Sequence, residues 1–172
     1  MRQIIVVLRV AAAMLLAGAA AYTLDRLCVE PLRCARAASA GATSLDALVR
    51  SDDLNRRVAY TILANLRPCE CLTPSDTRIL ATRGAAFAVA GDARSAIADY
   101  RAALATERRP EVYLELGLAQ LDAFDRAGAI DSLTRACAFD PSRLSDIPYE
   151  EIRNEVKRRF VAVHEKHSPQ RH

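Results

Sequence analysis

The chain has 172 residues, of which 51% are hydrophobic and 26% are charged, and its formal net charge is +3. This composition is typical of one globular domain and excludes an intrinsically disordered chain. The basic residues are scattered, without a dense stripe or interleaved aromatic residues, which argues against a nucleic-acid-binding protein.

The N-terminal segment is the most apolar part of the sequence. It runs from Ile4 to about Leu24 and is interrupted only by Arg9. Two interpretations of residues 1–27 remain open. One is a cleaved secretory signal that ends near the alanines at 19–21. The other is an uncleaved transmembrane anchor, because about 21 apolar residues just meet the length that spans a bilayer core. Both interpretations place the rest of the chain outside the cytoplasm.

The segment that follows carries little apolar periodicity. Residues 28–43 contain a proline and a glycine, so we expect a linker there. An apolar pattern begins at residue 44 and predicts an N-terminal helical cap over 44–75, with helices at about 44–50 and 52–66. A break is expected near Ser51-Asp52, since both residue types are good helix N-caps.

The next part of the chain repeats itself. The stretch 80–104 matches the stretch 113–137 at an offset of 33 residues. The matching pairs are Gly84 and Gly117, Ala96 and Ala129, Tyr100 and Leu133, and Ala103 and Ala136.

These two segments resemble the tetratricopeptide repeat (TPR) family, whose pattern is W-x2-L-G-x2-Y, then A-x3-F, then P. The first copy fills the slots with Leu80, Arg83, Gly84, Phe87, Ala96 and Tyr100, and the second with Tyr113, Leu116, Gly117, Gln120, Ala129, Leu133 and Pro141. Arg83 and Gln120 depart from the pattern. The resemblance implies an all-α fold, a short solenoid of helical hairpins with TPR 1 over 76–109 and TPR 2 over 110–143.

The ends of such an array need capping, because each repeat buries its apolar face against a neighbour. A helix is predicted within 144–167, followed by a tail over 168–172. The helix carries an apolar stripe on one face, as a capping helix requires. The stripe consists of Ile152, Val156, Phe160 and Val163. Within the repeats, Asp92 and Asp125 are expected to cap the second helix of each hairpin.

The resemblance also implies a binding groove, formed by the first helix of each repeat. A partner's extended segment or helix would lie in it, unless the N-terminal segment of the chain itself fills it. The expected groove residues are Arg78, Ala81, Ala85, Ala88, Val89, Glu111, Leu114, Leu118, Leu121 and Asp122.

The five cysteines divide into two clusters and one isolated residue. Cys28 and Cys34 form one cluster, and Cys69 and Cys71 the other. In an oxidising compartment, an even set of four favours two disulfides, each linking one cluster to the other. A zinc site built from the four thiolates is the alternative. Cys137 is expected to be a buried small apolar residue.

The sequence predicts no catalytic site, no cofactor and no small-molecule substrate. It contains no nucleophile-elbow, zinc-protease or phosphate-loop motif. The three histidines all lie in the last nine residues, too few and too close to the end for a specific metal site. They are His164, His167 and His172.

Together these features predict a non-catalytic, membrane-associated adaptor or assembly factor in a cell-envelope complex. It would be exported to the periplasm or held by a single N-terminal pass, and it would bind another envelope protein. The alternative is a thiol oxidoreductase or metallochaperone that uses Cys69 and Cys71.

Overall fold

The computed structural model describes residues 14–15, 18–23, 25–50, 56–69 and 75–167. Within these ranges the regular structure is helical throughout and contains no strand, which confirms the all-α class. The α-helices of these ranges from Glu30 onward are α1 (Glu30–Arg50), α2 (Arg56–Leu66), α3 (Thr77–Ala90), α4 (Ala93–Thr106), α5 (Pro110–Asp122), α6 (Arg126–Phe139) and α7 (Glu150–His167). A π-helical turn (Asp25–Val29) precedes α1, and 3-10 turns follow α2 (Arg67–Cys69) and α6 (Pro141–Asp146).

Each helix packs on its neighbours along the chain. The pairs α3–α4 and α5–α6 are hairpins with short connections, and α4 also packs on α5, α2 on α3, and α6 on α7. In addition, α3 touches both α1 and α5. The first helices of successive hairpins therefore lie side by side, with α3 in the middle.

The two hairpins share one packing relationship. In the first, the ring of Tyr100 lies against Gly84, where an added Cβ would come within 2.9 Å of the ring. In the second, Leu133 lies against Gly117, where an added Cβ would come within 2.7 Å of Leu133 Cδ2. Both large side chains are almost fully buried. The glycines that recur in the sequence thus mark the point where each second helix crosses its first helix.

The turns inside the hairpins are capped as the sequence predicts. The Asp92 side chain accepts a hydrogen bond from the Ser95 amide, and the Asp125 side chain accepts one from Gly128. Gly91 ends α3 in the left-handed conformation, with a φ of 87°. At the equivalent position of the second hairpin stands Phe124, with a φ of 61° and 96% of its surface exposed.

The prediction of a linker over 28–43 is wrong from Glu30 onward, because α1 is a continuous helix of 21 residues. Pro31 falls in its first turn, where a missing amide hydrogen costs nothing. Gly41 lies inside this helix at a close contact, since a Cβ there would lie 3.0 Å from side-chain atoms of Ile62 and Thr82. This packing favours glycine at the position despite its low helix propensity. The predicted break at Ser51-Asp52 lies outside the described residues.

The C-terminal helix α7 covers the end of the second hairpin. Ile147, Ile152 and Val156 are buried in one cluster with residues of α5 and α6, and Phe160 packs against it. Burying one such aliphatic side chain contributes about 1.5–3 kcal/mol. The helix begins at Glu150, two residues after Pro148. The side chain of Val163, the last member of the predicted stripe, lies outside the described part.

Candidate functional site

The expected groove residues lie on α3 and α5, which touch each other. Most of them keep part of their surface open to solvent. Ala81, Ala85, Ala88 and Val89 on α3, and Glu111, Leu118 and Leu121 on α5, are half-buried, while Arg78 and Asp122 are exposed. We call the surface formed by these residues the α3/α5 groove.

Leu114 is the one expected groove residue that is buried. Only 6% of its surface is exposed, and it belongs to the same buried cluster as Ile152 and Val156 of α7. The expectation that Leu114 faces a partner is therefore not met in this structure, because the C-terminal helix and its preceding turn extend the core over this position.

Glu115 is a groove residue that the sequence reasoning missed. It is exposed and shares one face of α5 with Glu111, Leu118 and Asp122, at spacings of four, three and four residues. Although solvent reaches the side chain, the surrounding helices desolvate it and raise the pKa of its carboxyl. The helical spacing from Glu111 was the signal that could have identified it.

The Tyr100 hydroxyl is buried, and its ring belongs to the cluster that α3, α4 and α5 share. Only 1% of the residue is exposed, and the hydroxyl has no hydrogen-bond partner among the described residues. Burial raises the pKa of Tyr100 well above its ordinary value, and the nearby carboxylates of Glu115 and Asp99 raise it further.

The cationic side chains beside the groove are already engaged. The Arg83 guanidinium donates two hydrogen bonds of 2.6 Å to Asp99. Arg78 lies 3.7 Å from Asp76, and Arg126 lies 3.1 Å from Glu155. These contacts leave the groove without a spare positive charge from those three arginines.

Leu121 and Asp122, at the end of α5, also line a cleft of about 390 Å³ between α5 and the start of α7. Its floor is apolar, and Tyr149 beside it is 55% exposed. Three carboxylates line it, and none of the three has an ion-pair partner in the part of the chain that the structure describes. The lining residues are Leu121, Asp122, Arg126, Tyr149, Glu150, Glu151 and Ile152.

A second cleft, of about 400 Å³, lies between α4 and α6 across α5. Several of its polar groups bond to one another. Ser132 Oγ donates a 2.6 Å hydrogen bond to the Gln120 side-chain oxygen, and Arg135 pairs with Asp131 at 3.0 Å. These bonds join the side chains of α5 and α6 that line the cleft.

A disulfide joins Cys34 of α1 to Cys69 in the turn after α2, with a Cα–Cα distance of 5.6 Å. Both residues are buried, in one cluster with Ile62, Leu66 and Ile79. The bond therefore fixes α1 onto the end of α2, and it links the two cysteine clusters. The Cys28 side chain and Cys71 lie outside the described residues, so their pairing stays a prediction.

The remaining cysteine, Cys137, is free and buried, and desolvation raises the pKa of its thiol. No group of three or more histidines, cysteines and carboxylates in the described ranges is arranged to hold a metal ion. The side chains of His164 and His167, and all of His172, are not described.

Within the described ranges, no helix combines the length and the apolar character needed to cross a membrane. Most of the predicted N-terminal segment, including residues 1–13, lies outside those ranges. The apolar side chains that are described before α1 are largely solvent-exposed: Met14 is 69%, Leu15 75% and Tyr22 63% exposed.

We compared the chain with known proteins at the level of family, sequence and structure. No protein-family model, no curated protein and no solved structure matches this chain.

Proposed function

We propose that this chain is a non-catalytic adaptor or assembly factor of the cell envelope, and that it binds a segment of another protein in the α3/α5 groove. The domain would lie in the periplasm, held by the N-terminal apolar segment or exported after its cleavage. The observation that carries the proposal is the half-open row of small and apolar side chains on two adjacent helices, with acidic side chains along its edge.

The proposal treats the two hairpins as a short TPR-like array. Its support is the packing that recurs at the 33-residue offset. Gly84 lies against Tyr100 as Gly117 lies against Leu133, and the alanines at 96 and 129 are both fully buried. Since no family model matches the chain, this part of the proposal depends on packing and residue pattern alone.

The extracytoplasmic location is supported by two separate features. The N-terminal sequence has the composition of a signal or anchor. The Cys34–Cys69 disulfide is the kind of bond that persists in oxidising compartments such as the periplasm. Because Cys69 is buried in that bond, it lacks the accessibility that a thiol-exchange centre requires.

Crosslinking and co-purification from membranes test the groove. An Ala85→Glu variant places a charge on the half-buried floor and should abolish co-purification of the partner. Ala105→Glu is the matched control, because it makes the same change at an exposed position of α4. Circular dichroism must show that both variants keep the wild-type melting temperature. If Ala85→Glu unfolds, the exposed Asp122→Lys replaces it.

Fractionation and intact-mass measurement of the native protein test the location. We expect the protein in the membrane or periplasmic fraction, with residues 1–21 retained or removed respectively. A full-length chain in the cytoplasmic fraction, with all cysteines reduced, would contradict the proposal.

A further inference from the structure

We propose that the outer face of α7 is a dimer interface, on which two copies of this chain pair in antiparallel orientation. This inference goes beyond the proposed function, because it concerns a second surface and a second copy rather than the α3/α5 groove. The face lies opposite the buried Ile152 and Val156, and its residues recur at spacings of three and four. The exposed residues that define the outer face are Glu150, Glu151, Asn154, Lys157, Arg158 and Val161.

The charges of the outer face are divided along the helix. Glu150 and Glu151 lie in the first turn, and Lys157 and Arg158 follow about two turns later. None of these four residues has an ion-pair partner in the part of the chain that the structure describes. The helix dipole favours acidic residues in the first turn, but it favours basic residues only in the last turn, which ends at His167. The dipole therefore does not account for the position of the two basic residues.

Two copies of this face complement each other in antiparallel orientation. A two-fold axis beside Asn154 places Glu150 of one copy and Lys157 of the other within about 1.5 Å of the same height along the helices. The same axis relates Glu151 to Arg158, so the symmetry gives four ion pairs between the copies. A parallel pair would instead set each acidic pair against its own equivalent, and such like-charge contacts are unfavourable. The charge pattern thus selects both the partner and its direction.

Apolar surface continues the face at both of its ends. Val161 is 42% exposed, and together with Ala162 it lines a shallow cleft of about 300 Å³. At the other end, Pro148 and the ring of Tyr149 are exposed just before α7 begins. In the antiparallel pair, Val161 of one copy lies within about 3 Å of the height of Pro148 and Tyr149 of the other. The ion pairs would therefore be flanked by apolar contacts on both sides.

The size of the interface sets its expected strength. One pair of helices buries less than the roughly 800 Å² per partner of a standard interface. We therefore expect a reversible dimer, and its ion pairs should make the association sensitive to salt.

Sedimentation equilibrium of the full chain in a nonionic detergent measures this self-association. The wild type should be mainly dimeric at about 100 µM chain and about 0.02 M ionic strength, and about 0.5 M salt should weaken association several-fold. Glu150→Lys with Glu151→Lys should weaken it at least tenfold, and so should Lys157→Glu with Arg158→Glu. An equimolar mixture of the two variants should dimerise again, because an acidic face then meets a basic one.

The matched control is Arg94→Glu with Arg101→Glu, which makes the same change of charge at exposed positions of α4. It should change the association less than twofold. Asn154→Cys tests the symmetry axis, because each introduced cysteine would face its own equivalent. Mild oxidation should join two copies through this residue, whereas Ala102→Cys on the exposed side of α4 should not form such a bond. Unchanged melting temperatures show that the variants keep the fold.

Several results would overturn the inference. A wild type that stays monomeric under these conditions does so, and so does a mixture of the two α7 variants that fails to dimerise. An equal loss in the α7 and control variants also excludes the face, as does a dimer that survives both charge reversals. If the chain is monomeric but Lys157→Glu with Arg158→Glu abolishes co-purification of a membrane protein, that protein occupies the face and the inference falls. The Ala85→Glu test of the groove is independent, so either proposal can fail alone.

Discussion

Arg83 and Asp99 form a bidentate ion pair inside the first hairpin, with Nε to Oδ2 and Nη2 to Oδ1 distances both 2.6 Å. The Asp99 side chain is only 10% exposed and that of Arg83 18%. Ser132 occupies the position equivalent to Asp99 in the second hairpin, and there it bonds to Gln120. Arg83 and Gln120 both depart from the repeat pattern. Each departure is therefore matched by a polar partner on the facing helix.

The ion pair predicts that removing one partner lowers the free energy of unfolding far more than removing both. Arg83→Leu should lower the free energy of unfolding by about 3–5 kcal/mol, because it leaves the Asp99 carboxylate buried and unpaired. Arg83→Leu combined with Asp99→Leu should recover most of this loss. Urea unfolding measures both. Arg78→Leu is the control, since its exposed pair with Asp76 should contribute less than about 1 kcal/mol. A double variant as unstable as the single one would contradict this account.

The helix crossing at Gly117 predicts a steric penalty. Gly117→Ala places a methyl group 2.7 Å from Leu133 Cδ2 and 3.3 Å from the Ala129 carbonyl oxygen, so one of the helices must shift. We expect a loss of about 1–3 kcal/mol in urea unfolding. Ala102→Leu is the control, because it adds apolar atoms at an exposed position of α4. If both variants were equally stable, the crossing at Gly117 would not be as close as described.

The α-helical class and the two hairpins could be predicted because large and small residues recur at helical spacing. Helix α1 was missed because its buried face is made of small residues. Cys34, Ala38, Gly41 and Leu45 are all buried at spacings of four, three and four residues, but only Leu45 counts as strongly apolar. In the groove, Leu114 was misplaced because the sequence does not show that the C-terminal part of the chain extends the core there. Glu115 was missed because one exposed acidic residue resembles any other.

The disulfide should be a major source of stability. Replacing Cys34 and Cys69 with alanine should lower the free energy of unfolding by roughly 2–4 kcal/mol, since the bond closes a loop with a sequence separation of 35 residues. At least this loss should appear when the wild type is reduced, and reductant should have a smaller effect on the variant. Alkylation of the unfolded, unreduced protein should label one thiol if the predicted second disulfide also forms. Three labelled thiols would exclude a Cys28–Cys71 bond.

The two hairpin turns predict that two substitutions change the free energy of unfolding in opposite directions. Phe124 is in the left-handed conformation, which disfavours residues with a Cβ, and nearly all of its surface is exposed. Phe124→Asn should raise the free energy of unfolding by about 0.5–1 kcal/mol, because asparagine tolerates this conformation. Gly91→Phe should lower it by about 1–2 kcal/mol, although the site has room for a side chain. Equal and small effects at both sites would show that backbone conformation is not the cause.

The Tyr100 hydroxyl predicts a dependence of stability on alkaline pH. Burial, followed by the charges of Glu115 and Asp99, raises the pKa of Tyr100 in the folded chain. An unfolded chain releases this proton near pH 10, while the folded chain keeps it. The unfolded state therefore binds fewer protons above about pH 10, and the wild-type free energy of unfolding should fall as the pH rises further.

Tyr100→Phe removes the titrating group and should lessen this fall. It should cost little stability at neutral pH, since the hydroxyl has no hydrogen-bond partner in the described structure. Urea unfolding at about pH 8 and pH 11 measures the difference, with Tyr60→Phe as the control because Tyr60 is 59% exposed. If Tyr100→Phe and Tyr60→Phe lost stability equally with rising pH, the buried hydroxyl would not be the group responsible.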